Sequence, residues 1–191
     1  TSSRFFYIGE PGILWASTIG GLLRLEFSRH SFTHHFANPY LSTSVRSITS
    51  AGPYGLMACT YRGVLSLKKE EALRGLSIPE NANATSIFWQ DSLLWIGTNK
   101  SVLYRYDLRK EKSRTSTTSQ RFNEAGDLHT LTALPGKGLV AGTRTGLWRL
   151  DTLQDRLVPM GLSDTAVYCF FKQGEDTWMG TETGVIHWNT G

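Results

Sequence analysis

Cysteine is nearly absent from this chain: Cys59 and Cys169 are the only two in 191 residues, and no Cys-x-x-Cys occurs. Two thiols cannot build a disulfide framework, and without paired cysteine spacing a structural zinc or a redox motif is excluded. Long apolar runs are missing too. No stretch approaches the roughly 18–20 continuous apolar residues that a membrane-spanning helix needs. No apolar period of the helical kind is sustained over ten residues, which argues against a helical domain. Gly-x-Ser-x-Gly, a phosphate-cradling glycine loop and paired carboxylates with a supporting histidine are all lacking, so the expectation is a protein that is not an enzyme. Charge is close to balanced, with 20 Lys+Arg against 16 Asp+Glu. An excess of +4 assists an anionic partner but does not demand nucleic acid. The chain opens on Thr1, with neither initiator Met nor signal peptide, and reads as a processed chain or a piece cut from a longer one.

What the sequence does have is aromatic weight and repetition. Six tryptophans and a 40% hydrophobic fraction rule out a disordered chain, and 191 residues bury a sizeable core. Five segments align: LWAST ending at Thr18, LMACT at Thr60, LWIGT at Thr98, LVAGT at Thr143 and TWMGT at Thr181. The threonines are spaced by 42, 38, 45 and 38 residues. Trp15, Met57, Trp95, Val140 and Trp178 form one column; Ser17, Cys59, Gly97, Gly142 and Gly180 form another. Three residues past the threonine stands Gly21, Gly63, Gly146 or Gly184; the third copy instead has one extra residue and Val102.

Each unit reads as strand, turn, strand, Thr-x-x-Gly turn, strand and a weaker fourth strand. The first strands are FFYI (5–8), VRSI (45–48), SIFW (86–89), LHTLTAL (128–134) and VYCFF (167–171). Gly, Pro, Asn and Asp punctuate the boundaries as hairpin chemistry requires. Four antiparallel strands in about 40–45 residues is the signature of a propeller blade. The expectation is an all-β chain of about four and a half β-propeller blades, at approximately 4–44, 45–82, 83–126, 127–163 and a partial 164–191. Large aromatics facing small residues suit wedge-shaped blades stacked face to face. Four and a half blades fall short of a closed ring, so the open ends predict self-association, as a dimer, or a piece of a larger propeller.

LWIGTNKSVLYRYD (94–107), LVAGTRTGLWRLD (139–151) and TWMGTETGVIHWN (177–189) resemble the two-component regulator propeller repeat, whose pattern is roughly W-I-G-T-x-x-G-L-x-R-Y-D. The resemblance extends over all five units and is weakest in the second, where Met57, Ala58 and Cys59 replace the usual Trp, Ile and Gly. It implies part of a seven-bladed propeller in the periplasmic sensor of a bacterial hybrid two-component system, with membrane anchor, histidine kinase and DNA-binding regulator outside these residues. It also implies a carbohydrate ligand and no cofactor. The Gly-His…Trp-Asp pair of WD repeats and the paired glycines of kelch repeats are absent. The innermost runs carry no Asp or Glu, unlike propeller lactonases and lyases.

Sites on propellers usually lie on the rim where second-to-third-strand turns meet the blade links. Arg62, Lys100 and Arg144 come from successive blades at nearly equivalent turn positions, and would focus field on a carboxylate or sulfate. Tyr61 and Trp89 offer stacking surfaces, and Asn99 and Glu182 complete the expected oligosaccharide set. The plain alternative is that cations merely keep these turns solvated. The repeated threonine does the same local job in every blade, most simply a side-chain hydrogen bond at the turn. His30, His34 and His35 fall on a fourth strand with no further ligand nearby, so edge polarity is expected and no metal; isolated His129 and His187 read the same way. Cys59 and Cys169 are expected as two free, buried thiols. The cluster Arg105, Arg109, Lys110, Lys112 and Arg114 reads as a solvated hairpin rather than a nucleic-acid surface. Residues 113–127 form the longest polar link and suggest a lid over the rim.

Overall fold

The computed structural model of the chain describes residues 3–27, 31–35, 44–69, 71–79, 81–116 and 125–188. Among them are nineteen strands and a single 3-10 turn at Gly52–Tyr54. The first sheet holds β1 (Ser3–Glu10), β2 (Ile13–Thr18), β3 (Gly21–Glu26) and β4 (Ser31–His35) in that order. The second holds β5 (Val45–Ser50), β6 (Leu56–Thr60), β7 (Gly63–Ser66) and a two-residue β8 (Glu71–Ala72). The third holds β9 (Ala84–Gln90), β10 (Leu93–Thr98), β11 (Leu103–Asp107) and β12 (Lys112–Ser116). The fourth holds β13 (Leu128–Leu134), β14 (Gly138–Thr143), β15 (Gly146–Asp151) and β16 (Arg156–Gly161). The fifth has three strands: β17 (Val167–Gln173), β18 (Asp176–Thr181) and β19 (Gly184–Trp188). Small antiparallel meanders in sequence order, one per repeat, are propeller blades, as the 41-residue periodicity requires.

The chain divides into two compact units: residues 1–96 with 106–113, and residues 97–105 with 114–191. In the first unit β1 packs on β5 and β5 on β9; in the second β13 packs on β17. First strands therefore stand side by side, which makes them the inner strands of their blades. β1 runs past FFYI to Glu10, so one carboxylate does sit on a first strand, at the end nearest β2.

The core lies between blades. Trp15 and Leu22 of the first blade meet Val45, Ile48 and Ala58 of the second, with Tyr7, Leu56 and Leu65 packed around them. In the second unit Leu134, Val140 and Leu147 meet Val167 and Met179, flanked by Phe170 and Trp188. The small-residue column explains how closely blades approach. A Cβ on Gly142 would stand 2.8 Å from Val167 Cγ1 and 2.9 Å from the Val167 carbonyl. In the second blade Cys59 takes that place, fully buried, with Sγ 3.9 Å from the Ser86 carbonyl.

The threonine does the same work in all five copies. Its hydroxyl donates to a carbonyl across the turn: Thr18 to Gly21 at 2.9 Å, Thr60 to Gly63 at 3.1 Å, Thr143 to Gly146 at 3.0 Å and Thr181 to Gly184 at 2.8 Å. These glycines hold φ between +134° and +148°, a region closed to residues with a Cβ. The third copy keeps the bond with its extra residue: Thr98 donates to Val102 at 3.0 Å, and Ser101 takes the left-handed conformation at φ +57°. Moving the positive φ to Ser101 frees position 102 from needing glycine.

These turns give a graded prediction. Gly184→Ala meets no neighbour and pays only the backbone conformation, about 1–3 kcal/mol. Gly146→Ala adds a clash, because its Cβ would stand 2.7 Å from the Leu162 carbonyl. Urea unfolding is expected to rank Gly146→Ala below Gly184→Ala, and both below the parent. Equal losses would mean that the Leu162 contact is not felt.

Candidate functional site

The rim residues are positioned by hydrogen bonds between the Thr-x-x-Gly turns and the links that enter each first strand. In the second unit this stitching is continuous. Ser101 Oγ donates to the Gly126 carbonyl at 2.7 Å, and Thr145 Oγ1 to Ala125 at 3.1 Å. The Arg144 N–H reaches Asp127 O at 3.0 Å, Asp164 N–H reaches Thr145 O at 3.1 Å, and Glu182 N–H reaches Ala166 O at 2.9 Å. The turns bearing Asn99, Lys100, Arg144 and Glu182 are thus tied along one edge of this unit. The Arg144 side chain lies over Gly126, its Nε only 2.9 Å from where a Cβ would be. Lys100, Arg144 and Glu182 are exposed; Asn99 is half-buried. Asp127, Asp164 and Glu182 interleave with the two cations here, so the field on this edge alternates in sign.

The first unit is more strongly cationic at its turn. Tyr61 and Arg62 sit side by side between β6 and β7, Arg62 exposed and Tyr61 half-buried. The Tyr61 carbonyl accepts Ala84 N–H at 3.3 Å, which fixes the start of β9 against this turn. Arg46, not singled out by the sequence reading, places its guanidinium over the Tyr61 ring, 4.9 Å from the centroid. Its Nη1 is shielded from solvent and, among the described residues, has no hydrogen-bond partner. Trp89 is not part of this group. It lies five residues beyond Ala84, roughly 16 Å along the strand. There its ring covers Gly52, 2.9 Å from a would-be Cβ, and braces the β5–β6 turn. Its place in a first strand does not by itself put Trp89 on the rim, because it occupies the far end of that strand.

A signal missed in the sequence is a β-bulge near the start of the first strands. The register with the second strand slips between Ser3 and Phe5, Val45 and Ser47, Leu128 and Thr130, and Val167 and Cys169. The extra residue is re-aimed. In the second blade it is Arg46; in the fourth and fifth it is His129 and Tyr168, whose rings stand 5.2 Å apart. The series 46, 129 and 168 stands directly before Ser47, Thr130 and Cys169, and only the bulge gives that position its meaning.

Three histidines are also less isolated than expected. His35 packs on Trp15 at 5.2 Å and its Nε2 is buried. His187 stacks on Trp178 at 4.2 Å and bonds Asp176 Oδ1 at 2.7 Å. His129 meets Tyr168 as above. The ladders within a blade bring His35 and His187 to their partners, and the packing of β17 on β13 brings Tyr168 to His129. His30 and residues 117–124 of the expected lid lie outside the described residues. Among the described residues no three His, Cys, Asp or Glu side chains gather as a metal site. In the basic hairpin, Arg109 donates to Ser92 Oγ at 2.9 Å, and Asp107 accepts the backbone N–H groups of Arg109 and Lys110.

The two thiols differ. Cys59 is fully buried, and burial pushes its thiol up to about 12. Cys169 is exposed, contrary to the expectation that both would be buried. It lies on the face of β17–β19 that carries Phe171 and Trp178, a face whose counterpart in the other blades is covered. At pH 8 an aromatic disulfide reagent is expected to modify Cys169 alone in the folded chain and both residues after denaturation, read by intact mass. Modification of Cys59 in the folded chain at the rate of Cys169 would contradict its burial.

No family model matches the sequence, and no curated protein matches it. Solved structures do. The extracellular domain of the hybrid two-component system BT3049 from B. thetaiotaomicron superposes with a TM-score of 0.76 at 19% identity, over 98% of this chain and 27% of that one. The extracellular domain of the one-component system BT4673 from the same organism gives 0.77 at 19% identity, over 98% and 27%. A computationally designed protein, Ika8, gives 0.66 at 12% identity, over 99% and 58%. The chain spans about a quarter of the length of the two natural domains. Among the described residues no helix is long and apolar enough to cross a membrane. The chain has the β-propeller fold found in extracellular domains of two-component systems.

Proposed function

We propose that this chain is a ligand-receiving part of a bacterial extracytoplasmic, periplasmic sensor of the hybrid two-component kind, and that its rim binds an oligosaccharide carrying carboxylate or sulfate groups. The kinase and the membrane anchor of such a sensor lie outside these residues, and the propeller itself performs no catalysis. Fold likeness to extracellular domains of two-component systems supports the sensing role. The observation that carries the acidic ligand is the Arg46–Tyr61–Arg62 group. An aromatic ring offers a platform for a sugar face, while a guanidinium takes an anionic substituent in bidentate fashion. Arg62 is the exposed guanidinium that meets the substituent, while Arg46, held over the Tyr61 ring, adds a second positive charge behind it. Signalling further requires that the ligand prefer one arrangement of the whole sensor.

A second reading rests on the fifth blade. Phe171 is 62% exposed and Val185 73%, beside Trp178 at 36%. Such a face suits a protein partner or another copy of the chain.

A thermal-shift screen against neutral and acidic oligosaccharides, at low and raised salt, separates the two. Acidic sugars at about 100 times Kd are expected to stabilise by about 2.7 kcal/mol, a rise of roughly 5–10 °C for a chain of this size. The rise shrinks with salt and is lost in Arg62→Ala. A cooperative melt unmoved by every glycan would sink the rim site and leave the protein-contact reading in front.

A further inference from the structure

The first unit contains a cavity of about 260 Å³ that has nothing to do with the cationic turn. It opens on the face of the second blade that carries Met57, and two departures from the repeat create it. Met57 stands where Trp15, Trp95 and Trp178 stand in three of the other copies (Val140 in the fourth), so its slimmer side chain leaves part of that volume open. The outer strand β8 has two residues, against five or six for β4, β12 and β16, so less chain covers this flank. Met57, Leu73 and Leu108 give the cavity apolar walls, and the rings of Tyr54 and Tyr106 contribute two more. Tyr106 spends its hydroxyl on the Arg74 carbonyl at 2.8 Å, which leaves its ring to face the space.

The polar lining is placed with equal care. Lys68 lays its stem across Gly55, whose Cβ would stand 3.1 Å from Lys68 Cβ, and donates to the Pro53 carbonyl at 3.0 Å. That single bond leaves two ammonium protons unspent. Lys69 and Glu111 neutralise one another at 2.8 Å. Among the described residues, Lys68 is the charged lining residue that no acid pairs. The Arg74–Glu71 pair nearby, at 3.6 Å, does not line it.

We propose that this cavity binds a small aromatic carboxylate, with the ring between Tyr54, Tyr106, Met57 and Leu73 and the carboxylate on Lys68. Flat apolar walls select a ring, and one uncompensated cation at the edge selects a single negative charge. A neutral analogue forfeits the charged hydrogen bond; a dianion meets Glu111.

The test is saturation-transfer NMR on the full chain with 4-hydroxybenzoate and, as the uncharged analogue, 4-hydroxybenzyl alcohol. The benzoate is expected to bind at sub-millimolar Kd and the alcohol at least 10-fold more weakly. Met57→Trp installs the residue that three of the other repeats carry, fills the space and is expected to abolish binding while the melting temperature holds or rises. Leu73→Phe, on a half-buried wall, serves as the second filling variant should Met57→Trp not fold. Lys68→Met keeps the stem on Gly55 and removes the charge, and is expected to bring the benzoate to the affinity of the alcohol. Equal binding of acid and alcohol would overturn the proposal. So would no saturation transfer to either, or undiminished binding to a folded, filled variant. Arg62→Ala leaves this binding unchanged, so failure here and failure of the rim site are read separately.

Discussion

A four-stranded blade of some forty residues has two apolar faces and no interior, so the only core available to it is the seam shared with its neighbour. The rest of the structure follows from that constraint. Each seam needs a bulky column to fill it and a small column to let the next inner strand come close. The buried clusters around Trp15 and Val45, and around Val140 and Val167, are such seams. Where the following strand is present the small position is sealed, as at Gly142 and Cys59. On the fifth blade the same two columns look outward: Trp178 is 36% exposed, while Trp15, Met57, Trp95 and Val140 are at 9% or below. Exposure there is a property of position in the array, not of the residue, and the same logic accounts for the contrast between Cys59 and Cys169.

How much of this was readable in advance depends on the range of the interaction. The threonine clasp closes over three residues, or four in the third copy, and so its role could be inferred from recurrence alone. The substitution of Val102 for glycine was visible but unexplained until Ser101 proved to carry the positive φ. Blade number and strand order were likewise encoded locally, in the spacing of columns and turn residues. The bulge was not, because it is a mismatch between two strands and no single strand announces it. Arg46 stayed hidden for that reason. Trp89 misled because a run of apolar residues says which strand a side chain is on without saying which end. His35 and His187 looked isolated because their partners, Trp15 and the Trp178–Asp176 pair, are neighbours only through the ladder.

The candidate rim shows why charge counting along a sequence is a poor guide to field. Arg62, Lys100 and Arg144 read as three equivalent cations. In the second unit the links brought beside Lys100 and Arg144 carry Asp127 and Asp164, and Glu182 follows on the next turn. Alternating signs within a Debye length of about 8–10 Å cancel much of one another's reach. In the first unit Arg46 adds to Arg62 at the same turn, and the ring of Tyr61 keeps Arg46 in place. The cationic character is therefore concentrated by a residue outside the repeat pattern and diluted where the pattern seemed to supply it.

Departures from the repeat fall into two physical kinds. The extra residue of the third copy is absorbed: Ser101 takes the strained conformation and recovers a 2.7 Å hydrogen bond to Gly126, so the turn keeps its clasp and the seam its spacing. The loss of tryptophan at Met57 is not absorbed. Neither the 3-10 turn braced by Trp89 nor the shortened β8 moves in to fill the volume, and a cavity remains beside a lysine held open by Gly55. A repeat protein tolerates such a void only at some cost in stability, since empty apolar space forfeits contacts on one side. A compensated departure is neutral structure. An uncompensated one, lined with two tyrosines and a lysine, is where a repeat scaffold has room for something other than itself.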